Sequence, residues 1–414
     1  MHGADAAPHA TPEHPTPDRH ATTDHTRTDT ADIRAFVLLP FSQGLVGGDA
    51  AGLARWAERH ARGLTAEATP YGYHRAREHG IAPVFSVDPP TGKALSVLRS
   101  ALLRAAGMDL VHVWRNRARI ADADIVWTHT EREHLAVLAL QRAGLAARRP
   151  VIAQSVWLFE HWERLSGLRR AAYRALLRRA AALTTLSPVN RDVARRALGR
   201  ADVAMIPFGI DPALFDGLAR PVDGGEQGRP ARLLGIGNDR DRDWRTFADA
   251  LAAAPDLAVE AEILTPRAEA LARRLPDDPR LTCRKASLAE VREAYAAADI
   301  AVLPLRPNRH ASGVTVLLEA VAAGVPVIAT ATGGLDAYLD AAAVTWVEPG
   351  DQDDLARAVA VLLADPERRR RQAEAARRQV AERGLTSADY VAAHCTLTRR
   401  LLGRSEGARA GDQG

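Results

Sequence analysis

Lysine and cysteine are nearly absent from this 414-residue chain. Of its 55 basic Lys and Arg residues only Lys93 and Lys285 are lysine. With so few, chemistry that needs a well-placed lysine, such as a Schiff base to pyridoxal phosphate, is disfavoured. The two cysteines, Cys283 and Cys395, stand in unrelated contexts and match no metal or redox spacing. That leaves no disulfide framework and points to a reduced cytoplasm. No apolar run is long enough to span a bilayer. The first thirty residues are rich in His, Thr, Pro, Asp and Ala and carry no apolar stretch, so they read as a disordered tail rather than a signal peptide.

What remains is 47% hydrophobic and 26% charged, the profile of a soluble globular protein, and long enough for two domains. The net charge is +4, carried almost wholly by arginine. Arginine suits planar phosphate recognition. A high-GC genome explains the same bias, so the basicity does not argue for nucleic acid.

The chain alternates short apolar runs with amphipathic helical patterns. The run 35–40 ends in a loop containing Gly47 and Gly48, and a helical pattern follows to about His60. Strand, glycine loop and helix form the opening of a nucleotide-type α/β unit. Further strands are expected at 109–114, 124–128, 151–154, 183–186 and 203–207. Residues 216–230 are rich in Gly, Pro, Asp and Arg and read as a linker. A second series follows at 232–235, 259–264, 281–284, 300–304, 325–330 and 344–347. Alternating strands and helices predict parallel, doubly wound sheets. The fold class expected is therefore α/β, with two doubly wound Rossmann-like domains facing a central cleft. The boundaries read as a tail at 1–30, a first domain at 31–211, a linker at 212–230 and a second domain at 231–385. A last helix at 386–403, able to pack back on the first domain, precedes a frayed tail at 404–414. Ligands of such sheets bind outside the strand carboxyl ends.

The most informative stretch is 299–334. A buried strand feeds a polar loop, and a helix opens near Ser312 and Gly313. Its free amides and dipole suit a diphosphate. Gly313 permits close backbone approach, and Ser312 or Thr315 can cap or donate. Glu319 follows about two turns later on an apolar helix, where a carboxylate needs a partner, and a ribose diol is one. Gly324 and Pro326 end the helix, and Thr332, Gly333 and Gly334 form a second small-residue loop.

This segment resembles the donor-binding signature of GT-B glycosyltransferases, above all family 4. In that family a Glu, a glycine-rich turn and a second Glu eight positions after the first hold a nucleoside-diphosphate sugar. Glu319 stands at the second Glu, with Ala320, Gly324 and Pro326 as in the family. Ala311 occupies the place of the first. The turn His310, Ala311, Ser312, Gly313, Val314, Thr315 also resembles that of inverting GT-B families, which leaves the stereochemistry open. Ile206, Pro207, Phe208, Gly209, Ile210 and Asp211 resemble the turn that leads family 4 chains into their second domain. Asn238 stands at the family's Arg, and Arg242 is nearest to its phosphate-binding Lys; the alternative is a solvated loop charge. Asp239, Asp241 and Asp243 mimic a metal-binding alternation, but GT-B enzymes generally need no metal, so they read as loop acids.

In the first domain, 124–131 resembles the family's strand end, with His129 on its second His. There His129 would serve as base or acceptor contact with an ordinary pKa near ~6.5, and Glu131 as base if the enzyme inverts; a local hydrogen bond is the plainer role for His129. Gly47 and Gly48 resemble the loop facing acceptor or phosphates, or form an ordinary tight turn. The resemblance implies a hexosyl- or glycosyltransferase of the EC 2.4 class, moving sugar from a nucleoside-diphosphate donor, itself the substrate, to a glycan, lipid-linked or small-molecule acceptor, as in polysaccharide biosynthesis. It implies no metal, no other cofactor and no nucleic acid partner. A non-catalytic sugar-nucleotide-binding accessory protein and a sugar-nucleotide 2-epimerase are the alternatives. Trp157 to Trp162 and the helix carrying Arg170, Arg174 and Arg178 leave room for a peripheral membrane contact, although a solvated face over a core is the simpler reading.

Overall fold

The computed structural model describes residues 33–43, 45, 49–88, 91–218 and 228–403. The tails read at 1–30 and 404–414, residues 219–227 of the linker, and Gly47 and Gly48 lie outside the described residues.

Two six-stranded parallel sheets carry the chain. The first contains β1 (Ile33–Leu38), β2 (Ile81–Phe85), β3 (Ile125–Thr128), β4 (Val151–Ser155), β5 (Ala182–Thr185) and β6 (Ala204–Met205). Its order is β2-β1-β3-β4-β5-β6. The second contains β7 (Ala231–Ile236), β8 (Val259–Leu264), β9 (Leu281–Arg284), β10 (Ile300–Leu303), β11 (Val327–Thr330) and β12 (Thr345–Val347), in the order β12-β11-β10-β7-β8-β9. Each order reverses once: between β1 and β3, where Ala35 pairs with Ile125, and between β7 and β10, where Leu233 pairs with Ile300. At such a reversal the connections leave on opposite faces and open a crevice for ligands. The strands read as buried runs, because helices cover both faces.

Two elements differ from expectation. Residues 109–114 form a helix, Leu110–Arg115, because Asp109 is its N-cap and accepts from His112 N. Ile81–Phe85 is a strand that sequence pattern did not single out. Pro83 in its middle argues against a central strand, and β2 is in fact the sheet edge. The capping box at Ser287 and Glu290 is present.

The start of the expected linker is structured. Asp211 caps a 3-10 helix, Pro212–Phe215, and Phe215 is buried in the core of the second domain. At the far end, the helix Ser387–Leu401 packs on the first sheet. Tyr390, Val391, Cys395 and Leu397 join β1 and β3 in one core cluster. Trp127 Nε1 donates to Thr398 Oγ1 at 2.8 Å, and Tyr390 OH to Gln154 Oε1 at 2.6 Å.

Candidate active site

The crevice between β7 and β10 is open. A cavity of ≈ 510 Å³ is lined by Gly237, Asn238 and Arg242 after β7, Thr265 and Pro266 after β8, Lys285 and Ala286 after β9, and the helix Val314–Ala322 after β10. Gly313 caps that helix with φ 87, a conformation that favours glycine. A Cβ there would stand 3.0 Å from Leu303 and 3.1 Å from Arg242 Nη1. Ser312 N–H donates to Asn308 Oδ1 at 3.0 Å, and Val314 N–H to Ala311 O at 3.2 Å. The Ser312 amide, expected to hold phosphate, is therefore occupied. The amides of Gly313 and Thr315 remain at the helix start, where the dipole favours an anion.

Glu319 lies on this helix at the cavity wall. Its Oε2 accepts from Tyr295 OH at 3.2 Å. Burial pushes its pKa up to about 7, while the Tyr295 hydrogen bond and Arg242 pull the other way. The half-buried carboxylate thus has one side-chain donor, and a ligand hydroxyl can supply another.

Arg242 is not a solvated loop charge. It is buried, with Nε donating to Ile236 O at 3.1 Å and Nη1 to Ser312 Oγ at 3.1 Å. The same Nη1 lies 3.1 Å from Asp239 Oδ2. Gly237, at φ 149, leaves the space the guanidinium occupies, since a Cβ would come within 2.1 Å of Nε. The neighbouring acids divide: Asp239 pairs with Arg242, Asp243 caps the helix Trp244–Ala253, and Asp241 Oδ2 lies 3.5 Å from His310 Nε2. Among the described residues no group of three or more His, Cys, Asp or Glu is arranged to hold a metal. Asn238 is exposed on the cavity rim.

His310 faces the first domain. Its Nδ1 lies 3.2 Å from Glu160 Oε2, which also accepts from Arg309 N–H. Ser187 Oγ donates to Arg309 O, and Arg240 meets His161. The two domains therefore touch through loops at their strand carboxyl ends. Glu160 was not singled out by sequence; its only signal was a carboxylate within the aromatic stretch from Trp157 to Trp162. Tyr295 and Lys285 were missed as well.

Solved structures with this fold share little sequence. Sucrose-phosphate synthase from Thermosynechococcus elongatus is 17% identical, with a TM-score of 0.65 over 90% of this chain and 100% of its own. HepE from Anabaena, in complex with UDP and glucose, is 17% identical, with a TM-score of 0.61 over 88% and 98%. The UDP-forming α,α-trehalose-phosphate synthase from Burkholderia vietnamiensis is 13% identical, with a TM-score of 0.59 over 90% and 99%. No curated protein sequence matches the chain. Residues 265–379, which include the cavity helix and Glu319, match the family described as glycosyl transferases group 1. The chain is a GT-B glycosyltransferase.

In the first domain of this glycosyltransferase, the described residues at the equivalent strand end pack against one another. His129 is buried and stacks on Tyr71 with ring centroids 3.8 Å apart. Its Nδ1 lies 3.5 Å from Tyr73 OH. Burial, with His394 nearby, pushes the imidazole down to about 3, so the ordinary value expected from sequence does not hold. Tyr71 has φ 55, an outlier for so large a residue. Glu131 opens the helix Glu131–Arg142, and its Oε2 accepts from Val156 N at 3.3 Å and Trp157 N at 3.2 Å. Burial raises its pKa against those amide bonds. It anchors the loop that carries Glu160. Of the basic helix residues, Arg174 and Arg178 donate to Ala197 O and Leu198 O, and Phe159 and Trp162 are buried. Trp157, in contrast, stays 43% exposed, so the stretch is divided between core rings and carbonyl-bound cations on one side and an open ring on the other.

Proposed function

We propose that this glycosyltransferase takes its sugar from a nucleoside diphosphate lying along the cavity helix. The observation that carries the reading is Glu319, a half-buried carboxylate set back from a helix start whose Gly313 and Thr315 line the same cavity. The diphosphate sits at that start. Glu319 accepts from the ribose hydroxyls, and the base lies against Ala286, Leu288 and Val291. Arg242 uses Nε and Nη1 within the protein, leaving Nη2 for a phosphate oxygen. Lys285 adds a second cation at the wall. The donor enters as substrate, and these two charges take the balancing role that a metal would otherwise have.

The sugar then extends beyond the helix start, away from Glu319, towards His310 and the loop from Trp157 to Trp162. There Glu160 accepts through Oε2 from Arg309 and His310, and its Oε1 is available to a sugar hydroxyl. The acceptor approaches from the first domain, past Glu131. His129, neutral and covered by Tyr71, shapes that side without exchanging a proton near neutral pH.

HepE has been seen with UDP-glucose, which makes UDP-glucose and UDP the first ligands to try. Calorimetry with UDP, GDP and ADP, followed by donor turnover with the matching sugar nucleotides, tests the reading. Binding of one diphosphate that weakens in Glu319→Ala supports it. No binding of any by the wild-type protein rejects it, and binding without transfer or donor hydrolysis returns the accessory-protein reading.

A further inference from the structure

The helix Lys93–Ala106, which follows β2, has no buried residue. Leu95, Arg99, Leu102, Leu103 and Ala106 form its half-buried, inward stripe. A surface helix ordinarily turns charged and polar residues outward. Here the outward stripe is Ala94, Val97, Leu98, Ala101 and Ala105, all exposed, with Val97 at 67% and Leu98 at 51%. Lys93 and Arg104 run along one edge, and the helix contains no acid.

The face continues onto its neighbours. Arg169 donates to Ala105 O and Tyr173 OH to Ala106 O, which ties the start of Gly167–Leu177 to the end of this helix. Leu168 there is 84% exposed. On the other side, the helix Leu110–Arg115 presents Trp114, 46% exposed and stacked under Arg117. Between Lys93 and Ala121 the sequence carries six cations and one carboxylate. That carboxylate, Asp109, is buried and bound by Arg99 Nε at 2.8 Å and 3.0 Å.

We propose that this face docks on an anionic phospholipid bilayer, with the Lys93–Ala106 helix lying in the interface plane. Two features select that partner. A net-cationic surface is complementary to anionic headgroups, each cation near the surface adding to affinity. The outward apolar stripe then enters the acyl boundary, as in other in-plane helices. A nucleic acid would satisfy the cations and leave Val97, Leu98 and Leu168 in water. The position serves the cleft. Phe41, just past β1, lies under the Arg99 guanidinium at 3.8 Å and against His112 at 5.6 Å. The docked face therefore adjoins the carboxyl end of β1, and a lipid-linked acceptor would reach the first-domain side of the cleft from the bilayer. The docking itself does not depend on the donor assignment.

Co-sedimentation of the full chain tests it, using vesicles of phosphatidylcholine alone and of equal parts phosphatidylcholine and phosphatidylglycerol. The expected result is binding to the anionic vesicles only, released by high salt. Lys93→Ala with Arg104→Ala should weaken it roughly thirty-fold. Val97→Ser with Leu98→Ser should also release the protein, while its melting temperature and nucleoside-diphosphate affinity stay at wild-type values. Heparin binding that the Ser variant retains while losing the vesicles also supports the proposal. Failure of the wild type to bind anionic vesicles overturns it, and so does equal binding to both vesicles or a Ser variant that binds like wild type.

Discussion

The two sheets reverse strand order once each, yet the described residues at the two reversals are arranged differently. Between β7 and β10 a helix start, Arg242 and Glu319 surround open space. Between β1 and β3 the strand end at His129 is packed against Tyr71, Tyr73, Tyr390 and His394. The same construction thus gives a ligand site in one domain and a packed support in the other. What differs is the occupant. The second domain leaves its polar groups to be completed by a ligand, whereas the first completes its own with aromatic rings, two of its residues coming from the last helix.

The contrast breaks if the open crevice proves as dispensable to the fold as an ordinary surface pocket. Arg242→Ala should therefore give the largest effect. It leaves Ile236 O and Ser312 Oγ without their donor and empties the space beside Gly237, and each acceptor left unpaired away from water costs about 1–3 kcal/mol. Urea unfolding should show that loss whether or not donor is present. A stability within error of wild type would return Arg242 to the status of a loop charge.

Glu319→Ala comes next, with donor affinity falling by the ~1.5–3 kcal/mol of a charged hydrogen bond. Glu319→Gln should fall between. Stability moves the other way. The carboxyl is raised by burial to about 7, above its unfolded value, so the folded state holds the proton more tightly. Its favourable contribution is complete below the unfolded pKa and is lost as pH rises through about 7. Glu319→Gln should then melt higher than wild type at alkaline pH and alike in acid. Lower melting at every pH would mark the residue as structural.

At the packed strand end the sign reverses. His129 is lowered to about 3, His134 to about 3 and His394 to about 4, all chiefly by burial. Their neutral forms stabilise the fold above the unfolded histidine pKa, and that contribution drains as pH falls towards their folded values. Replacing His129 by Phe keeps a ring against Tyr71 and should remove about 1–2 kcal/mol of the acid loss between pH 6.5 and 5. An imidazole titrating near neutrality by NMR in the wild type, and absent from the variant, would contradict the packed description.

The smallest expected effect joins the two regions. Glu160→Gln should lower affinity for the sugar nucleotide by about 1 kcal/mol and leave the bare diphosphate unchanged. Equal weakening of both would mean that Glu160 only holds the domains together.

Sequence made the open crevice legible and the packed strand end opaque. Glu319, Gly313 and Gly324 lie within one continuous segment whose spacing carries a physical meaning. Eleven of the twelve strands were readable as apolar runs, with Pro83 hiding the edge strand. The surroundings of His129 were not readable, because Tyr73 and His394 are far apart in the chain and meet only through packing. Arg242 was located, but its burial depended on Gly237 and Ser312, whose side-chain space no pattern reveals. Glu160 acts across the cleft, so nothing near it in sequence announces its partners.

The final helix places a constraint on synthesis. Trp127 and Thr398 bond across 271 residues, so the first sheet to leave the ribosome is the last to have its core closed. Until Ser387–Leu401 emerges, the apolar face around Ile125, Trp127 and Ile152 lacks its cover while the entire second domain is translated. The nascent chain must keep that surface from aggregating for most of its own production, and a fragment ending at Asp211 would carry the exposure permanently.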